Sequence, residues 1–287
     1  MLRPQNKRLV LVDRDENLLA MHVVTCLKQI IDPELPPSEF KLDPSRHRAA
    51  QGAASLVISI FDENALEVAL QLRERQGEGR ITALSLGGLS AVDALRKALS
   101  LRVDEAILLR EEDFPALDSF GTARVLAAAV RKLEPVNLVL CGRETGDWHG
   151  GLVGAFLATE LDRPLVSFVA SIDQQGDKLS CRRQSDEGWE MVEAAIPAVA
   201  TITNDGTNLP RIPKVKDNMM AFRKTIPVWT AADLGLDPAR VCGPNAGLES
   251  LPLSLPEVNR RCEIITGQNS EEAAKQLVSR LAAMHLI

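Results

Sequence analysis

Residues 136–154 read VNLVLCGRETGDWHGGLVG. Val136 to Cys141 is a short run, apolar except for Asn137, which fits a strand buried on both faces. It follows a segment in which Leu126, Ala129, Val130 and Leu133 recur at helical spacing. The run then opens into a stretch with five glycines in thirteen residues, Gly142 to Gly154, that leads into a helix starting near Gly151. Helix, buried strand, glycine-rich loop and second helix in this order are the grammar of a parallel sheet covered by helices. The loop then lies beyond the carboxyl end of a strand, where open sheets of this kind bind ligands.

Working outward, the same unit repeats. Arg8 to Val12 (RLVLV) reads as the first buried strand, and Asn17 to Ile31 as a helix that stops at the Pro-rich stretch Pro33 to Pro37. Leu56 to Ile60 (LVISI) reads as the second strand. The helix after it, DENALEVALQLRERQGEG, has acids in its first turn, arginines in its last, and Gly77 to end it. Arg80 to Leu86 follows as strand, Gly87-Gly88 as turn, Ser90 as N-cap of a helix ending near Leu99, and Glu105 to Leu109 as the next strand. The fold class expected is α/β, a doubly wound, mostly parallel, Rossmann-like sheet.

Past Pro164 the pattern changes. LVSFVASI, KLSCRRQ, GWEMVEA and PAVATITN are separated by QQGD and SDEG, and read as antiparallel additions. Residues 204–260 are proline-rich and weakly periodic, an extended excursion over the surface or a partner. A last helix begins at Ser270, with Glu271 and Glu272 in its first turn and Ala273, Leu277 and Leu281 on one face. The organisation expected is a core domain over 1–203 and a partner-recognition segment and C-terminal arm over 204–287.

Composition narrows the function. With 33 Lys+Arg against 39 Asp+Glu the net charge is -6, which argues against a nucleic-acid phosphate footprint. No apolar run reaches bilayer length, so no membrane insertion is expected. Cys26, Cys141, Cys181, Cys242 and Cys262 include no C-x-x-C pair, so they read as reduced thiols rather than a zinc or thiol-exchange site. The N-terminal MLRPQNKRLVLVD has no signal-peptide h-region, and a cytoplasmic location is expected.

The glycine-rich loop admits two readings. Glycine lets backbone N–H groups approach an anion, and a helix amino end presents unpaired donors to a phosphate. Alternatively the glycines serve only the strand-to-helix turn; the loop is neither G-x-G-x-x-G nor a P-loop with its lysine. His149 could act as acid or base, though a single loop histidine without a fixed partner is more often a surface residue. Asp13 and Asp15 read as a solvated turn rather than a metal or ribose site, and Asp62 and Glu63 as helix-capping acids. No metal spacing and no nucleophile–base signature supports an autonomous catalyst.

Cys181 to Thr201, CRRQSDEGWEMVEAAIPAVAT, resembles the signature segment of the electron transfer flavoprotein β subunit in Arg183, Asp186-Glu187-Gly188, Glu190, Val192, Pro197 and Thr201. IFDENALEVALQLRE is similar to that family's N-P-F-D-E-I-A-L-E-E-A-L helix start. ALSLGGLSAVDALRKALSLRVDEAILL, NLVLCGRETGDWHGGLVGAFLATEL, PKVKDNMMAFRKTIP and RCEIITGQNSEEAAKQLVSRL extend the likeness over nearly the whole chain.

The resemblance implies the adenine nucleotide α-hydrolase-like version of the sheet and a subunit that is not catalytic alone. It implies an α-subunit partner holding most of an FAD, a flavin dehydrogenase donor, and a membrane quinone oxidoreductase or similar acceptor. Phe61 would form one wall of the FAD site. An adenine nucleotide, either AMP or a second FAD, would touch Leu11, Ser59, Asp62, Leu86, Gly142, Arg143, Glu144, Thr145, Gly146, Asp147, Trp148, His149, Gly150, Gly151, Leu152 and Val153. Trp148 would stack on an adenine or flavin ring or anchor the partner. Val215, with Met219 and Met220 beside it, falls in the dehydrogenase-docking segment.

There are departures. Val12-Asp13-Arg14 stands where the family has Val-Lys-Arg, which puts an acid near the anion site. Ser59-Ile60 replaces Asn-Pro, and the loop after Cys141 lacks the family's second acid and its Gln. The β site is therefore left open between AMP, FAD and no ligand. The rival reading is a homodimeric nucleotide-binding regulator of the universal-stress type. An ATP-pyrophosphatase would need an S-G-G-x-D-S-type loop that Val12 to Asp15 does not supply.

Overall fold

The structure, a computed structural model, describes residues 20–43, 48–242, 253–255 and 262–287. In chain order the elements are β1 (His22–Cys26), β2 (Gln29–Ile31), β3 (Lys41–Asp43), β4 (Arg48–Ala50), β5 (Leu56–Ile58), α1 (Ile60–Gln76), β6 (Arg80–Gly87), α2 (Val92–Ser100), β7 (Glu105–Arg110) and α3 (Ser119–Leu133). There follow β8 (Leu138–Gly142), α4 (Val153–Leu161), β9 (Leu165–Gln175), β10 (Lys178–Ser185), β11 (Gly188–Ala195), β12 (Ala198–Ile202), α5 (Val215–Arg223), β13 (Val228–Trp229) and α6 (Ser270–Ala283).

Among the described residues, nine strands form one sheet in the order β11-β10-β9-β12-β8-β1-β6-β7-β13. From β9 through β12, β8, β1, β6 and β7 to β13 every pairing is parallel, while β10 and β11 add an antiparallel ribbon at one edge. The α/β, doubly wound, mostly parallel expectation therefore holds. One face carries α1 and α2 through Ala65, Leu66, Leu70, Leu95 and Ala98 against Val23, Ala83 and Leu140. The other carries α3 and α4 through Val125, Ala129 and Leu157 against Val24, Leu84 and Val139.

The centre of the sheet differs from the sequence reading. The central strand is His22–Cys26, inside the stretch 17–31 read as a helix, and all five of its residues are buried. A strand buried on both faces has no alternation of its own, so its chance matches to helical spacing misled; the β-branched Val23, Val24 and Thr25 carried the contrary signal. The run 8–12 read as the first strand, and with it Leu11, Asp13 and Asp15, lies outside the described residues. His22 is held at both ring nitrogens, by the Pro135 carbonyl at 3.0 Å and the Thr82 hydroxyl at 2.9 Å, and burial depresses its pKa.

Three further corrections concern pairing. β5, read as a second sheet strand, pairs antiparallel with β2 in a separate two-stranded ribbon. β12 was expected to be antiparallel and instead runs parallel to both β8 and β9. The segment after residue 204 is not simply extended: it forms α5, and β13 pairs parallel with β7. Ser90 lies in a 3-10 turn ahead of α2 rather than capping it.

α1 forms as read. Gly77 closes it at φ 82, a left-handed backbone where glycine carries no Cβ penalty. The described residues fall into two compact units divided after Leu251. In the second, α6 is capped by Asn269, whose Oδ1 accepts from the Glu272 amide at 2.9 Å, while the Glu272 carboxylate accepts from the Gln268 amide at 2.9 Å.

Candidate functional site: the switch point between the first and eighth strands

The chain winds from β1 outward through β6 and β7, then returns to lay β8 on the other side of β1. The crevice at the carboxyl ends of β1 and β8 is thus the topological switch point, where sheets of this class bind ligands. Three segments meet there: Leu27-Lys28 after β1, the start of α1, and the loop 143–152 after β8.

Asp62 joins all three. Its Oδ2 accepts from the Lys28 amide and its Oδ1 from the Gly142 amide, each at 2.8 Å. Burial pushes its pKa up to about 7, against the pull of these two amides and the Lys28 charge. Read from sequence as helix-capping acids, Asp62 reaches out to two other segments and Glu63 pairs with Lys97. Gly142 has no room for a side chain, since a Cβ would lie 2.6 Å from Asp62 Oδ1 and 2.8 Å from Phe61 Cβ. Ser59 adds a second tie by accepting from the Gly146 amide at 3.2 Å.

The loop is shaped by its own charges. Lys28 Nζ meets Asp147 at 2.7 Å, and the Trp148 amide donates to Asp147 Oδ1 at 2.9 Å. Burial raises the Asp147 pKa, but the Lys28 charge and hydrogen bond, with the hydrogen bonds from Thr145 and the Trp148 amide, together outweigh it and the net shift is downward. The residue after Leu27, beyond the end of the central strand, is Lys28, a cation aimed at the loop, while Asp13, read as an acid near the anion site, lies outside the described residues.

His149 donates its amide to the Thr145 carbonyl at 3.0 Å, has φ 50, and sits 3.6 Å from Glu144. Gly151 follows at φ 63, and α4 begins at Val153 without a side-chain cap. The main-chain donors of that helix end thus have no side-chain cap, an arrangement that fits a phosphate through backbone rather than side-chain contacts. α4 is drawn tight to the sheet because a Cβ on Gly154 would meet Thr201 Cγ2 at 2.3 Å.

A cation–aromatic tier stands beside the crevice. The Arg143 guanidinium lies 4.6 Å from the ring centre of Phe61 and 5.7 Å from that of Phe168. It also donates to Thr203 Oγ1 at 3.2 Å and to Glu144 Oε1 at 3.0 Å. Beneath, Cys26 and Cys141 are buried neighbours on β1 and β8, and the Cys141 thiol is raised well above its usual pKa by its hydrogen bond with Cys26 and by burial.

Of the residues singled out in the sequence, Ser59, Phe61, Asp62 and 142–153 converge on this crevice. Leu86, the penultimate residue of β6 on the other flank of β1, is partly buried. Leu11 lies outside the described residues. Sequence reasoning missed Lys28, Phe168 and Thr203; the position of Lys28 after a β-branched run was the one usable signal. Val215, Met219 and Met220 lie apart on α5, all exposed together with Ile212 and Phe222. Among the described residues no group of three or more His, Cys, Asp or Glu could hold a metal ion, and no helix is long and apolar enough to cross a membrane.

Comparison with known proteins matches residues 50–234 to the electron transfer flavoprotein domain. The chain is 34% identical over 268 residues to the electron transfer flavoprotein subunit beta of Thermoanaerobacterium thermosaccharolyticum, covering 93% of this chain and 100% of that one. It is 34% identical over 272 residues to the same subunit of Clostridium acetobutylicum, with the same coverage. It is 32% identical over 268 residues to the caffeyl-CoA reductase-Etf complex subunit CarD of Acetobacterium woodii, again over 93% of this chain and 100% of the relative. A parallel sheet whose switch point is gathered by Asp62, and a likeness that runs the full length of these relatives, place the chain in the electron transfer flavoprotein β-subunit family.

Proposed function

We propose that this β-type subunit works as half of a heterodimer, with an α subunit that holds most of an FAD, and carries electrons from a flavin dehydrogenase to a quinone-reductase-type acceptor, in the cytoplasm. The observation that carries the reading is the crevice at the switch point, where Asp62 ties the start of α1 to the Lys28 and Gly142 amides. A bound FAD would supply the redox chemistry. This chain's residues bind and orient. Phe61 forms one wall of the flavin site, and the 143–152 loop with the α4 amino end cradles an adenine nucleotide through main-chain donors. That nucleotide is AMP or a second FAD, its phosphate charge received beside Lys28.

Docking of the dehydrogenase falls to Val215, Met219 and Met220. α5 is fastened from behind, because Arg96 donates to the carbonyls of Ala221 and Lys224, each at 2.6 Å, and Lys224 Nζ donates to the Val103 carbonyl at 3.0 Å. An exposed apolar helix face on a fixed base is a surface for a partner. The exposed apolar residues of α6, Leu277 and Val278 among them, are assigned to the α subunit.

Co-expression with an α-type subunit tests the reading. A one-to-one complex that is yellow and releases FAD on denaturation is expected, with mass analysis of the released nucleotides distinguishing AMP from a second FAD. A colourless complex, or a β chain that ignores the α subunit and pairs with itself, would overturn it.

A further inference from the structure

Phe168 is an outlier. It has φ 57, a left-handed backbone that costs an L-residue with a bulky side chain about 1–2 kcal/mol, and the residue is 42% exposed. A large apolar side chain in that conformation normally repays its cost by burial, and this one does not.

The neighbourhood holds it there deliberately. Where β9 meets β12 the register shifts between Ala200 and Ile202, and the Phe168 amide leaves the ladder to donate to Thr201 Oγ1 at 3.2 Å. The turn aims the ring at Arg143, whose guanidinium lies between Phe168 and Phe61. Phe61 is 8% exposed. In this stack Phe61 is the backing, Arg143 the middle plate, and Phe168 the outward plate. Arg143 is fixed at its edges by Thr203 and Glu144, so its plane is preset rather than free to swing. An exposed ring beside a preset cation suits a planar, largely apolar ring system that gains negative charge on reduction.

We propose that Phe168 and Arg143 are cofactor-facing residues, Phe168 covering the flavin ring and Arg143 setting its reduction potential through charge, with Phe61 behind them. This rests on the heterodimer reading above and names residues within it.

The test uses the co-expressed heterodimer. Phe168→Leu and Arg143→Gln are each expected to shift the flavin's visible absorption and fluorescence, and Arg143→Gln to lower its midpoint potential, with Arg143→Lys recovering part of that drop. Phe168→Gly, which the backbone accepts at φ 57 without strain, is the second variant should Phe168→Leu fail to assemble, and the same spectral shift is expected of it. A flavin-containing wild type whose spectrum and midpoint are unchanged by these substitutions overturns this inference alone. A flavin-free wild-type complex overturns it together with the heterodimer reading.

Discussion

The Gly142 amide donates to Asp62 Oδ1 at 2.8 Å, so the end of the eighth strand is fastened to the first turn of α1. Asp62 is buried, and its other oxygen takes the Lys28 amide. Asp62→Ala leaves two buried N–H groups unpaired, at about 1–3 kcal/mol each. The expected outcome is a lower melting temperature and loss of the released adenine nucleotide. Asp62→Asn, with one acceptor oxygen kept, should fall between the two, as read by thermal denaturation and nucleotide mass analysis.

The same carboxyl gives an unusual pH signature. Its folded pKa is raised from 3.8 to about 7 by burial, so the folded chain binds this proton more tightly than the unfolded chain. Its contribution to stability is present below about pH 4 and lost as pH rises through about 7, opposite to an ion-paired carboxylate. Between those limits, the stability of wild type relative to Asp62→Asn should decline with rising pH in denaturant titrations. A flat difference would show that the carboxyl titrates normally.

Gly154 and Thr201 form a steric pair. Gly154→Ala places a methyl 2.3 Å from Thr201 Cγ2, and overpacking of this kind costs about 1–3 kcal/mol. Thr201→Ser removes that methyl and keeps the hydroxyl that accepts from Phe168. The double variant should therefore recover most of the lost stability, a coupling that a double-mutant cycle measures.

Arg211 reaches Glu67 at 2.7 and 2.8 Å and is also bonded to Glu74. The Glu67 side chain is 6% exposed, so Arg211→Met strands a buried carboxylate and should cost about 3 kcal/mol, whereas Arg211→Met with Glu67→Met should cost less. Urea denaturation of the two variants gives the comparison.

Val215→Lys and Met219→Lys change exposed positions and should move stability by no more than about 0.5 kcal/mol. If α5 is the docking face, the same variants should slow flavin reduction by the cognate dehydrogenase at limiting concentration and leave the flavin spectrum untouched. Stopped-flow reduction with a dehydrogenase titration separates the two.

Elements whose signals are local were legible in the sequence. α1 declared its ends through Asp62, Glu63, Arg75 and Gly77, and β8 through its length and its glycines. The central strand was not legible, because His22–Cys26 is buried all round and its polar residues, His22 and Thr25, do not alternate with the apolar ones. Parallel or antiparallel partnership for β12 was not legible either, since strand direction is decided by neighbours far along the chain. Within the site, the loop 142–153 stood out by composition. The three-plate stack of Phe61, Arg143 and Phe168 joins residues from separate strand and helix ends, and nothing in the spacing of those letters announces it.

α1 is 17 residues long, roughly 25 Å at 1.5 Å per residue. Its tip grips the loop through Asp62, and farther along its flank Asn64, Glu67, Gln71 and Glu74 hold Thr207, Asn208 and Arg211 at the root of the docking segment. On the proposed reading, one helix thus runs from the nucleotide loop to the docking segment, so that a protein bound at one end and a nucleotide held at the other would both bear on α1.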